Sequence, residues 1–329
     1  MTRRSPFRVP ATLTSAAAAL VVLSGCMTVH GEREVLPAVS QADAAKALTH
    51  FTDGFNKANR TLDSAKNTAF ESGALLAIDQ AGIKAAHGVR PDGNPNFTPL
   101  AFTDAHFTVP QQKGWPKFFV ADALSNRRDR SGENTRWFLA FSRNGVHEKW
   151  RASYLATFPG NNAPELKVTG GYAEAVPSDG SSGLALAPGQ LSTAYADYLN
   201  TGKGEVFAPG QETDRLRAWR ASQANQPGAR IQWQDQASEL PPIALRTTDG
   251  GALVFFSTVY HQQKTVSKGL MITVPPELRG IMEGPTTKNT TRMAFTTVSG
   301  QTVLVPAKSA GGKIKVLDRI EAKTSAKAL

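Results

Sequence analysis

Cys26 is the only cysteine among 329 residues. As thiolate it is the strongest nucleophile the chain offers. It follows Leu23-Ser24-Gly25, at the end of an apolar run. With no second thiol there is no internal disulfide and no cysteine metal cluster. The other groups that do chemistry are incomplete as motifs. Gly180-Ser181-Ser182-Gly183 lacks the G-x-S-x-G spacing that raises a serine on a tight turn, and no S-x-x-K run occurs. His147-Glu148 has no second histidine four residues on, as a zinc peptidase requires. The six histidines are scattered, and His261 stands beside Tyr260 with no partner to give it a role. Thr201-Gly202-Lys203-Gly204 lacks the first glycine and the final hydroxyl of a phosphate loop. Asp92-Gly93-Asn94 has too few carboxylates for calcium. No cofactor or metal is expected.

The segment ahead of Cys26 explains its position. Arg3, Arg4 and Arg8 precede an apolar stretch from Ala11 to Leu23. That stretch is too short to span a bilayer and has the flanks of a secretory leader. Thr2-Arg3-Arg4 hints at twin-arginine export, although Pro6 stands where such leaders carry an aromatic residue. Leu23-Ser24-Gly25-Cys26 resembles a bacterial lipobox. The resemblance implies a diacylglyceryl group on Cys26, cleavage just before it, and an anchor of acyl chains on the extracytoplasmic side of the cell membrane. Losing residues 1–25, with three arginines and no acidic residue, brings the net charge from +10 to +7. A basic tethered protein is drawn to anionic headgroups and cell-wall polymers. Nucleic acid is not an expected partner.

Residues 26–41 read as a tether. Ser40 and Asp43 mark a helix start. Ala44, Leu48, Phe51, Phe55, Ala58 and Leu62 then form one apolar stripe. A second helix is expected over Asn67–Ala86, stopped by His87-Gly88. Strands follow at Phe102–Val109 and Lys117–Leu124. A hairpin is expected at Arg136–Phe141 and Lys149–Tyr154, around an Asn144-Gly145 primed turn. Pairing Arg143 with Val146 sets Leu139 opposite Trp150 and Trp137 opposite Ala152. Those residues, with Tyr154, Ala156 and Phe158, then share one buried face.

Residues 177–187, rich in Gly, Pro and Ser, read as a linker. The order then repeats. Helices are expected around Leu191–Leu199 and Asp214–Ala224, with Leu216 and Trp219 apolar. Strands are expected at Ile231–Gln234, Ile243–Thr247, Ala252–His261 and Leu270–Val274. Further strands are expected at Arg292–Val298 and Gln301–Val305, split by a Ser299-Gly300 turn, and at Lys313–Leu317. Residues 322–329 read as a frayed tail. The fold class is therefore α+β, with two tandem units over 42–176 and 188–321.

Helices followed by antiparallel strands, twice, resemble the nuclear-transport-factor-2-like or cystatin-like roll. The resemblance implies helices packed in the concavity of a curved sheet. The chain also resembles uncharacterised two-part bacterial lipoproteins. Beside the lipobox, Ala163-Pro164-Glu165-Leu166, Gly171-Tyr172-Ala173 and Phe207-Ala208-Pro209-Gly210 carry that likeness, which implies no activity.

Arg127, Arg128 and Arg130 lie in one polar loop. A solvated charged loop is the plainer reading of these three guanidiniums, and contact with an anionic surface is the alternative. Trp115, Phe118, Trp137, Phe141, Trp150, Tyr154, Phe255 and Tyr260 concentrate on hairpins, where they form a core or line a sugar or lipid cleft. The expected function is a non-catalytic, lipid-anchored binding or scaffolding module whose partner is an envelope protein or an anionic polymer. An enzyme would need buried carboxylates or histidines converging in a roll cavity, and a lipid carrier would need an apolar one.

Overall fold

The computed structural model describes residues 34–160, 163–284 and 289–329. Cys26 and the Leu23-Ser24-Gly25 run lie outside the described residues. Helix α1 spans Gln41–Thr61, and the Ser40 hydroxyl accepts the Asp43 N–H at 3.1 Å. Such a cap is worth about 1 kcal/mol. Ala44, Leu48, Phe51, Ala58 and Leu62 of the stripe are buried, and Phe55 packs against them. The tether ends earlier than expected. Leu36–Pro37 pair with Gln111–Gln112, and Ala38 and Val39 are buried.

The second helix is split. A 3-10 turn covers Ser64–Ala69, the chain extends at Glu71 to bridge Ala152, and α2 runs Gly73–Val89. It passes through His87-Gly88. Its stop is set by Pro91, which forces Arg90 out of the helical region. Gly88 is there for close packing, since a Cβ would sit 2.5 Å from the Pro276 carbonyl oxygen.

Strands β1 (Phe102–Thr108), β2 (Lys117–Arg128), β3 (Asn134–Arg143) and β4 (Arg151–Pro159) form an antiparallel meander in that order. The second half repeats the plan. Helices α3 (Leu191–Thr201) and α4 (Leu216–Ala224) precede β5 (Ala229–Ala237), β6 (Ile243–Arg246), β7 (Ala252–Val266), β8 (Arg292–Val305) and β9 (Lys315–Ala328). The order is β9-β8-β7-β5, with β6 continuing along the same edge of β7 as β5.

The two sheets pack face to face. Phe138, Ala140, Tyr154 and Phe158 of the first meet Ile243, Leu245, Leu253 and Phe255 of the second in one buried cluster. Helix α1 covers the outer face of the first sheet, and α3 that of the second. The expectation of a sheet with one buried side is therefore corrected, because seven successive residues of β3 are buried. Helix α2 packs on both β4 and the β8–β9 edge. The Pro/Gly-rich crossing is also built in. Ala173 bonds Val109, Val176 bonds Ala244, and Leu184 bridges Ala307.

The hairpin register differs from expectation. Phe141 pairs with Ala152, Leu139 with Leu155 and Trp137 with Thr157. Asn144-Gly145 opens a longer loop rather than a two-residue turn. The Glu148 N–H donates to the Gly145 carbonyl at 3.1 Å, and the Arg143 guanidinium sits over Trp150 and Trp115 at 4.5 and 5.0 Å. Ser153 is a bulge whose hydroxyl donates to the Ala140 carbonyl. The extra residue sends Tyr154, Ala156 and Phe158 to the face opposite Trp137 and Leu139.

Two further expectations fall in the second half. Ser299-Gly300 is no turn, for β8 runs through it, with Ser299 opposite Thr258 and Gly300 opposite Ser257. A Cβ at Gly300 would make only ordinary contact, 3.6 Å from Ile320 and 4.0 Å from Ile78 of α2. The tail is no tail either. Residues 322–328 complete β9, Ala326 is fully buried, and Lys323 and Lys327 put charge on this edge strand.

Candidate functional site

The two halves share a plan and differ inside. Across β2 and β3, the side chains facing α1 pair as Phe119 with Phe141, Ala121 with Leu139, and Ala123 with Trp137. Phe119 and Phe141 stack at 4.9 Å, and Phe51 of α1 closes on Phe141 edge-on at 6.1 Å. That interior is filled with hydrocarbon. Across β7 and β8, the corresponding pairs are Phe256 with Gln301, Thr258 with Ser299, and Tyr260 with Thr297. Only the first of these pairs adjoins the apolar cluster under α3. The rest is a buried polar floor. Thr258 Oγ1 and Ser299 Oγ lie 3.1 Å apart, and the Gln301 amide donates to both, at 2.9 and 2.6 Å.

Charges ring this floor. Arg319 on β9 pairs with Glu321 at 2.6 Å and with Glu212, ahead of α4, at 3.4 Å. The Tyr260 hydroxyl donates to Glu321 at 3.2 Å, and that of Tyr195 to the Glu212 carbonyl at 2.5 Å. Arg220 of α4 lies over the Tyr260 ring at 4.7 Å and pairs with Asp235 of β5. Asn200 at the end of α3 locks Asp235 in place, donating to its carbonyl and accepting its N–H, both at 2.8 Å. Burial pushes the Asp235 carboxyl up, against the pull of Arg220. Burial, reinforced by Glu321, also raises the Tyr260 hydroxyl. Several buried atoms of this face have no partner: Asp235 Oδ1, Thr297 Oγ1, Gln301 Oε1 and Arg319 Nε.

A cleft of about 410 Å³ opens between α4 and β5 at this place. Arg217, Arg220 and Arg230 line it, with Asn200, Trp233 and Asp235. Three guanidiniums thus face one carboxylate. Trp233 is half-buried in the wall. Trp219 rests against it with ring centres 6.1 Å apart and planes at 59°, and is 55% exposed. The expectation that Trp219 lies on the apolar side of its helix is corrected. A second cavity of about 390 Å³ lies at the seam between the halves, walled by Phe118, Tyr154, Leu240 and Pro241.

The expected anionic contact does not join this cleft. Arg127 is spent locally, donating to the Thr98 carbonyl at 2.8 Å and lying over Phe97 at 5.6 Å. Arg128 and Arg130 are exposed, around a turn held by Asp129. The eight hairpin aromatics do not converge either. Trp137 and Phe141 lie under α1, Tyr154 and Phe255 between the sheets, and Phe118 beside Tyr154 at the seam cavity. Trp115 and Trp150 flank Arg143, and Tyr260 alone reaches the polar floor. Sequence reasoning missed Arg217, Arg230, Trp233 and Asp235. The available signal was Asp235, a carboxylate on the inward phase of a strand whose Ile231 and Trp233 are apolar.

Among the described residues, no group of three His, Cys, Asp or Glu could hold a metal ion, and no helix is long and apolar enough to cross a membrane. A family model described as Domain of unknown function (DUF8094) matches residues 35–328. The chain is similar to an uncharacterised lipoprotein of Streptomyces avermitilis, 41% identical over 321 residues, covering 95% of this chain and 94% of the relative. A lipoprotein of Streptomyces coelicolor is also 41% identical, covering 96% and 94%. A second from that organism is 26% identical over 285 residues, covering 83% and 78%. No solved structure matches.

Proposed function

The chain belongs to the DUF8094 family, and from that premise we propose that it is a lipid-anchored, non-catalytic binding protein on the extracytoplasmic side of the cell membrane. The anchor is supported by Leu23-Ser24-Gly25-Cys26 and by relatives that are lipoproteins. A diacylglyceryl group on Cys26 would hold the folded part within a short tether of the membrane, since the chain is already paired at Leu36. Its partner is an anionic cell-wall polymer or another envelope protein. Each half is read as a roll of the nuclear-transport-factor-2-like kind, one concavity packed and the other left polar.

The observation that carries the binding role is that asymmetry. Where the first half buries Ala121, Leu139 and Phe141, the second buries Thr258, Ser299 and Gln301, which forgoes about 1.5–3 kcal/mol for each large apolar side chain replaced. An arginine-lined cleft beside that polar floor, joined to it where Arg220 lies over Tyr260 and pairs with Asp235, gives that cost a use. An enzyme is the competing reading, favoured by buried Asp235 beside Tyr260 and Tyr195. Binding fits better. Arginines hold Asp235, Glu212 and Glu321, which leaves no free base near a nucleophile.

Photo-crosslinking in intact cells tests the proposal. A photoreactive residue replaces Gln232 in the cleft or Arg128 at the far end of the first sheet, in the full chain. The proposal expects an envelope adduct at position 232 and none at 128. Equal adducts at both positions, or none at either, would contradict it.

A further inference from the structure

We infer that the cleft between α4 and β5 binds an anionic saccharide, that is, a sugar ring carrying a carboxylate. The inference rests on the binding role proposed above and supplies its ligand class. Charge is the first ground. Arg220 is neutralised by Asp235, whereas Arg217 and Arg230 form no ion pair among the described residues. Arg217 is held in place by the Tyr198 ring at 5.6 Å, and its Nε is buried with no acceptor. Two guanidiniums without a counter-ion, one of them already positioned, select an anion by bidentate hydrogen bonding.

The second ground is the remaining wall. Asp235 gives one carboxylate oxygen to Arg220, and its other, Oδ1, is buried without a donor. Such an acceptor suits a hydroxyl. Asn200 is spent on the Asp235 backbone, so it positions the carboxylate rather than the ligand. Trp233 supplies an aromatic wall that the exposed Trp219 extends at the rim. The two indoles meet at 59°. A flat base or a nucleotide gains most between parallel plates. An angled pair seats the puckered, CH-bearing face of a sugar ring. A cavity of about 410 Å³ falls in the range of small-ligand sites.

Calorimetry on the full chain in detergent micelles tests this, with trigalacturonate, maltotriose, inorganic phosphate and adenosine monophosphate as probes. Trigalacturonate should bind, more weakly as salt rises, with maltotriose, phosphate and the nucleotide about tenfold weaker or worse. Arg217→Ala/Arg230→Ala should lose about tenfold in affinity for trigalacturonate. Arg128→Ala/Arg130→Ala removes the same charge elsewhere and should change it by less than about twofold. Equal loss in the two double variants, preference for the nucleotide, or no preference over maltotriose would overturn the inference. A position-232 adduct in cells together with no trigalacturonate binding would overturn the ligand class alone. Absence of the adduct would sink the binding role first.

Discussion

Arg220 reaches from α4 to Asp235 on β5, and the two side chains are 7% and 1% exposed. This pair couples the helix to the strand that walls the cleft. A buried pair contributes little over an apolar substitute, but either ion left alone is costly. Arg220→Ala should destabilise the chain by about 3–5 kcal/mol. Arg220→Met/Asp235→Leu should recover most of that loss. Urea unfolding of the three chains checks this. A single variant no less stable than the natural chain would show that the pair is not buried as described.

The filled and polar interiors should respond differently to substitution. Phe141 is fully buried between Phe119 and Phe51. Phe141→Ala should cost about 3–5 kcal/mol. Gln301 is equally buried, but its Oε1 has no donor, and Thr258 and Ser299 keep each other when its amide is removed. Gln301→Leu should therefore change stability by no more than about 1 kcal/mol. Denaturant titration compares the two. Similar losses would mean that the interiors are equivalent.

Glu71 sets a pH dependence. It is fully buried between the 3-10 turn and α2, accepts the Asn67 amide at 2.7 Å, and has the Asp79 carboxyl as its neighbour. Burial, with Asp79 as a second acid beside it, pushes the Glu71 carboxyl far above its ordinary 4.5. A carboxyl raised in this way binds a proton on folding. Its contribution to stability is complete at pH values below 4.5 and declines as pH rises toward the folded value. Glu71→Gln keeps the Asn67 bond and fixes the neutral form. The variant should be more stable than the natural chain at pH 8, by about 1–2 kcal/mol, with the gap closing toward pH 4.5. Thermal unfolding across that range measures it. A gap that widens toward acid would reverse the assignment.

Local signals carried much of the fold, and long-range ones did not. The α1 stripe, its Ser40 cap and the repeated helix-then-strand order are visible because each follows from spacing within a few turns. The register of β3 and β4 was not visible. It depends on the Ser153 bulge and on Arg143 choosing the Trp115 and Trp150 rings, both of which need tertiary neighbours. Ser299-Gly300 looks like a turn by composition, but pairing with β7 on one side and β9 on the other keeps it in the strand. The terminal Ala/Lys/Ser stretch looks frayed by composition, and pairing with Met293–Thr296 orders it. The polar floor beside the cleft was written in the alternation of β7 and β8. Thr258, Tyr260, Thr297, Ser299 and Gln301 fall on one inward phase, where an ordinary core has apolar residues.

A tethered chain should leave the membrane when its one thiol is removed. Fractionation of cells carrying the natural chain or Cys26→Ser, followed by intact-mass measurement of each form, tests this most directly. The natural chain should sediment with membranes, beginning at Cys26 with a diacylglyceryl group attached. The variant should keep its leader or appear in the soluble fraction. A Cys26→Ser chain that is processed normally and stays equally membrane-bound would contradict the account.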